Sequence, residues 1–178
     1  MLLFREGPRQ DAETSEDAWP GEHPEDYVRR VARMKAEAAW QRVVMRKGLR
    51  RMPVLAADTT VALANEMLAK PADAADAARM LRLLAGTRHR VLTAVALAFE
   101  GRLEMRVNES HVTLCPLDEP RIEAYVASGE PFDKAGGYGI QGRAGAFVSR
   151  VEGSYSGVMG LPLFETVELL REFGVSVP

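Results

Sequence analysis

The sequence predicts an α/β fold, a mixed sheet with flanking helices, on three observations. Segments with apolar residues at helical spacing interleave with short apolar or alternating strands. One strand pair is joined by a hairpin signal, and no Pro-, Gly- or Ser-rich linker separates independent domains. The 178 residues, 47% of them hydrophobic, suffice to bury a core as one domain or two tightly joined lobes.

The stretch from Met1 to about Gly21 lacks sustained periodicity and reads as a loop after a strand stub, Leu2-Leu3-Phe4. Pro24, Glu25 and Asp26 open a helix, because proline suits the first turn and acids there complement the helix dipole. Tyr27, Val28, Val31, Ala32, Lys35 and Ala39 carry the helical spacing toward roughly Lys47. Pro53-Val54-Leu55-Ala56-Ala57 predicts a short strand ending at Asp58, with Thr59, Thr60 and Val61 as extended chain or a turn into another strand. A helix from near Asp73 places Ala77, Met80, Leu81 and Leu84 on one face and closes at Gly86. His89 to Phe99 and Leu103 to Leu114 are strands around the hairpin signal Glu100-Gly101-Arg102. Asp118 opens a helix that stops at Gly129. A glycine-rich stretch then leads to a strand at Ala146-Phe147-Val148, and a last helix runs from about Pro162 to Phe173.

Composition excludes several functions. With 23 basic against 25 acidic residues and a net charge of −2, the chain has no broad basic surface for a nucleic-acid polymer, so an anionic ligand must be met by a few placed cations. Cys115 is the only cysteine, which precludes an intrachain disulfide and fits a reducing compartment. No apolar run approaches the roughly 20 residues of a membrane span, and no secretory leader opens the chain, so a cytoplasmic location is expected. His23, His89 and His111 are too scattered for a metal-ligand pattern, and the serines lack a G-x-S-x-G elbow.

Asp58, at the expected end of a strand, is placed to hold a divalent ion or take a proton from water; a turn aspartate capping amides is the other reading. Lys70, fixed by the following Pro71, suits a phosphate or plain solvent. Lys35 lies near the apolar face of its helix, either snorkelling or aimed at a site. Asp133-Lys134-Ala135-Gly136-Gly137-Tyr138-Gly139-Ile140-Gln141-Gly142 lets backbone approach a ligand while Tyr138 offers a ring and Gln141 a paired donor and acceptor; a structural turn explains it equally. The stretch Gly153 to Pro162 reads as an ordered loop feeding the last helix.

Taken in order, Tyr27-Val28, Lys35-Ala36, Ala57-Asp58-Thr59, Lys70-Pro71, Met80-Leu81, Gly129-Glu130-Pro131, Asp133-Lys134-Ala135-Gly136, Tyr138-Gly139-Ile140-Gln141-Gly142 and Gly160-Leu161-Pro162 resemble Maf-type nucleotide pyrophosphatases. The resemblance implies one Maf-like domain over residues 1–178, two-lobed with a central cleft and similar to inosine-triphosphate pyrophosphatases. It also implies cleavage of nucleoside triphosphates to monophosphate and pyrophosphate with Mg²⁺ or Mn²⁺. Carried over, Asp58 is the general base and a metal ligand, and Lys35 and Lys70 contact the triphosphate. A loop carboxylate, Glu16 or alternatively Glu13, joins the metal. Thr59 and Gln141 set the substrate, in the form that resembles the dTTP- and UTP-directed branch. A catalytically weak nucleotide-binding regulator linked to septum inhibition and a purine-directed enzyme are the competing readings, and a homodimer is common among look-alikes. Family members begin with Ser-x-Ser-x-Arg-Arg and a helix that would precede Met1 here, so the expectation for the chain as written is weak hydrolysis and reduced stability.

Overall fold

The computed structural model describes residues 16–48 and 50–177; the expected strand stub Leu2-Leu3-Phe4 and Glu13 lie outside them. Its elements are helix α1 (Pro24–Met45), strands β1 (Val54–Leu63) and β2 (Glu66–Leu68), helix α2 (Ala74–Leu84), and strands β3 (Arg88–Phe99) and β4 (Arg102–Leu114). Helix α3 (Glu119–Ala127), strand β5 (Val148–Glu152), the single turn α4 (Tyr155–Val158) and helix α5 (Leu163–Glu172) follow. One five-stranded antiparallel sheet, in the order β2-β1-β3-β4-β5, carries flanking helices, in keeping with the mixed α/β expectation. Among the described residues no helix is long and apolar enough to cross a membrane.

Local chemistry sets most boundaries. Pro24 occupies the first turn of α1 with Glu25 and Asp26 beside it. Asp73 and Asp118 cap α2 and α3 by accepting from the Asp76 and Arg121 amides. Glu100 and Gly101, with φ of 48° and 81°, form the tight turn joining β3 to β4.

Two expectations are corrected. Asp58 stands inside a ten-residue strand, not at the end of a short one, because β-branched Thr59, Thr60 and Val61 prolong the extended backbone. The strand placed at Ala146-Phe147-Val148 begins only at Val148; Arg143–Phe147 is a 3₁₀ segment, and pairing with β4 starts at the Val148–Leu114 register.

Backbone contacts group the chain into two compact units whose division falls within β1, β3 and β4. Of the described residues, one comprises 16–48, 50–58, 94–107 and 163–177, the other 59–93 and 108–162. In the first, Val28, Val31, Ala32 and Ala36 of α1 are fully buried, as are Ala94 to Leu97 of β3 and Leu169 of α5, while Trp40 meets Phe99 edge-on at 5.5 Å. The second has its own core of Val61, Leu68, Leu81, Leu84, Val112, Leu114 and Ile122, with Tyr125 and Tyr138 in it.

Candidate functional site

The first unit gathers three charges. Lys35 Nζ, carried to the middle of α1, lies 2.8 Å from Asp58 Oδ1 and 3.2 Å from Glu16 Oε2. Asp58 is 9% exposed and Lys35 26%, so water screens this cluster only partly. Burial alone would lower the Lys35 pKa, but the attraction of Asp58 and Glu16 overcomes it and holds the ammonium above the ordinary lysine value.

Glu16 is held in place from α1. Tyr27 Oη donates to the Glu16 carbonyl at 2.8 Å, and its own proton is retained, the pKa pushed up to about 12 by burial and then by the charges of Asp58 and Glu16. One turn on, Arg30 clamps Glu22 through Nε at 2.7 Å and Nη2 at 2.8 Å, donates to the Asp17 carbonyl, and stacks 4.2 Å over Trp19. Tyr27 and Arg30 sit at i, i+3, one face of the helix, so together they fasten the preceding loop. This fastening was not foreseen from the sequence; the signal for it was an aromatic and an arginine at helical spacing just after an acidic loop.

The second unit holds Thr59, Lys70 and Gln141. Lys70 and Gln141 are exposed. The Gly136 amide donates to the carbonyl of Ala69, next to Lys70, at 3.1 Å, so the glycine-rich segment is tied to the residue beside that lysine. Gly136 has φ of 70°, and a Cβ there would come within 3.0 Å of Val61, so glycine is required on both counts. Asp133 is held below the usual carboxylate range, first by its hydrogen bond from Lys134 and at longer range by Lys70.

A clamp brackets Gln141. Tyr125 Oη accepts from the Gly139 amide at 3.3 Å and donates to Glu130 Oε1 at 3.0 Å, while Glu130 Oε2 accepts from the Arg143 amide at 3.0 Å. Burial opposes the charge on Glu130, but these hydrogen bonds and that from Ala144 prevail and its pKa is lowered. Gly142 leaves the space in which the carboxylate sits, since a Cβ there would lie 2.2 Å from Glu130 Oε1. Beneath the same segment, buried His89 Nε2 meets Tyr138 Oη at 2.7 Å; desolvation lowers the His89 pKa to about 4, so the ring is neutral at pH 7.

Thr59 Oγ1 lies 2.8 Å from Thr93 Oγ1, and Thr93 Oγ1 donates to the Gly157 carbonyl at 2.8 Å. Thus Glu16, Lys35 and Asp58 are brought together, and Thr59, Lys70 and Gln141 belong to the other unit. Among the described residues no group of three or more His, Cys, Asp or Glu forms a metal cage; Glu16 and Asp58 share the Lys35 ammonium.

Residues 4–173 match the family described as Maf-like protein. A dTTP/UTP pyrophosphatase of Cupriavidus metallidurans is 58% identical over 175 residues, 98% of this chain and 86% of its own length. Proteins of the same description from Albidiferax ferrireducens and Nitrosomonas europaea are 53% and 50% identical, over 94% and 99% of this chain and 84% and 85% of theirs.

Proposed function

The chain belongs to the Maf family, and on that premise we propose that it is a cytoplasmic pyrophosphatase that hydrolyses dTTP and UTP to the monophosphate and pyrophosphate. The observation that carries the reading is the ion cluster of Glu16, Lys35 and Asp58, one ammonium between two carboxylates in a largely buried setting. The names of the relatives supply the substrate.

Water adds to the α-phosphorus, its proton passes to the Asp58 carboxylate, and the bond from that phosphorus to the bridging oxygen breaks, releasing pyrophosphate. Negative charge grows on the leaving group, and Lys35 and Lys70 are the cations that offset it. Tyr27 and Arg30 keep Glu16 against the cluster, so its carboxylate does not have to be ordered when substrate arrives.

A divalent ion fits these residues. Glu16 and Asp58 are hard oxygen donors already arranged around one cation, and two protein carboxylates plus substrate phosphates make the kind of shell Mg²⁺ accepts. When bound, Mg²⁺ or Mn²⁺ supplies charge neutralisation and polarises the reacting phosphate. Base selection is assigned to Thr59 and Gln141. A homodimer remains part of the proposal, checked by light scattering.

The test is pyrophosphate release across dTTP, UTP, CTP, GTP and ITP by the wild type and Asp58→Asn. The substitution is expected to cost about 10²- to 10⁴-fold in turnover, the size of a general base, while nucleotide binding persists. Turnover undiminished in Asp58→Asn overturns the base assignment. Binding without release in the wild type favours the regulator reading, and preference for ITP the purine one.

A further inference from the structure

We propose that Thr93 is a positioning residue that fixes Thr59 as a hydrogen-bond acceptor toward the base, and that this fixed polarity selects an imide N–H. The inference rests on the reading of Thr59 and Gln141 as the base-contacting pair.

A threonine hydroxyl has one proton to donate and two lone pairs. A carbonyl oxygen only accepts, so Thr93 Oγ1, 2.8 Å from the Gly157 oxygen, commits its proton there. Thr59 Oγ1 is 2.8 Å from Thr93 Oγ1. With the Thr93 proton used, that second bond forms only when Thr59 is the donor. Thr59 is then left with lone pairs alone for a ligand.

The end of this relay is fixed. The Gly157 carbonyl also accepts from the Gly160 amide at 3.0 Å, and the Gly157 amide donates to Ser154 Oγ at 3.0 Å. A Cβ on Gly157 would come within 2.4 Å of Asn108 Oδ1, so a side chain there would push this carbonyl out of place. Thr93 itself is fully buried, which keeps water from offering its hydroxyl another acceptor.

Gln141 cannot supply the same discrimination. Its amide presents a donor on one side and an acceptor on the other, and half a turn about its last bond exchanges them. It therefore pairs as well with the amino edge of cytosine as with the imide edge of uracil or thymine. An acceptor that cannot reverse breaks the tie. Uracil and thymine offer N3–H, whereas cytosine offers a lone pair, and opposed lone pairs leave both groups unsatisfied.

The experiment measures kcat/KM for UTP and CTP by pyrophosphate release in the wild type, Thr59→Val, Thr93→Val and Thr93→Ser. The ratio between the two substrates cancels the active fraction, so a variant that folds poorly still reports. Thr93→Val is expected to lower the UTP/CTP ratio about 10-fold, the size of one hydrogen bond gained or lost. Part of that change is a rise in kcat/KM for CTP, because Thr59 is freed to donate. Thr93→Ser, which keeps the hydroxyl, restores the ratio. A purely structural role for Thr93 would depress both substrates alike. If Thr59→Val leaves the ratio at the wild-type value, the base-contact reading fails; if it collapses the ratio while Thr93→Val does not, the relay is overturned. Should Thr93→Val give no folded protein, Thr93→Ala deletes the same hydroxyl and is judged by the same ratio.

Discussion

Lys35→Met tests whether one ammonium holds the carboxylate cluster together. Methionine keeps most of the side chain's length and packing but removes the charge that lies 2.8 Å from Asp58 and 3.2 Å from Glu16. At an effective dielectric constant of about 20, opposite charges about 4 Å apart attract by about 4 kcal/mol. Removing lysine also recovers the cost of having buried it, and with Lys35 at 26% and Asp58 at 9% exposure the pair stands between surface and interior cases. A net loss of about 2 kcal/mol follows, or roughly 4–8 °C in Tm for a chain of this size. The assay is thermal unfolding in EDTA and then in excess Mg²⁺. In the proposed metal site the ammonium and Mg²⁺ compete for the same oxygens, so the metal is expected to raise Tm more in Lys35→Met than in the wild type. The pH dependence has a definite sign. The Lys35 pKa is raised in the folded state, so its contribution is complete below the ordinary lysine value of 10.5 and is lost as pH climbs through the higher folded value. The gap between wild type and variant therefore persists at neutral pH and closes on the alkaline side. An unchanged Tm in EDTA together with an equal response to Mg²⁺ in both proteins would refute the cluster's role.

Two further substitutions probe the second unit. His89 has a folded pKa of about 4 against 6.5 for the free group, so the unfolded chain binds a proton that the folded one refuses. Stability therefore falls as pH drops below about 6.5 and levels off near the folded value, by about 3 kcal/mol in all. His89→Gln, which still reaches Tyr138 with a polar atom, should flatten that acid slope in urea titrations; an identical slope would assign the acid loss to other groups. Gly142→Ala is allowed by its backbone, with φ of −106° and ψ of −151°, but puts a methyl where the Glu130 carboxylate sits. Eviction of Glu130 from Tyr125 and the Arg143 amide should cost about 1–2 kcal/mol and raise KM for UTP. A Tm and a KM both equal to the wild type would show that the carboxylate does not steady the Gln141 segment.

Much of this was readable because it is local. Asp73 and Asp118 announced their helices since a capping carboxylate acts on an amide three residues away, and Glu100-Gly101 announced the hairpin since the turn needs positive φ at adjacent positions. Asp58 is expected at the end of a short strand and stands inside a long one. The two threonines after it read equally as turn or strand, and only pairing in the sheet decided for strand. Lys35 stood between a snorkelling lysine and a site lysine until Asp58, 23 positions along the chain, appeared against it. Glu16 could be named only by resemblance, because what places it is the Tyr27 hydroxyl on its carbonyl, eleven residues away.

Thr93 shows a deeper limit. In the apolar run of β3 a threonine is indistinguishable from any β-branched strand residue, and nothing around it in sequence marks it. Its consequence depends on three residues, Thr59, Thr93 and Gly157, drawn from two strands and a helical turn. Even the distances do not suffice pairwise: the Thr59–Thr93 contact alone leaves the donor undecided. The direction is set only by the third member, since a carbonyl cannot give back a proton. A hydroxyl's polarity is thus a property of the whole relay. A base-contacting threonine that reads the same in two sequences can accept in one protein and donate in another, according to what stands two bonds behind it.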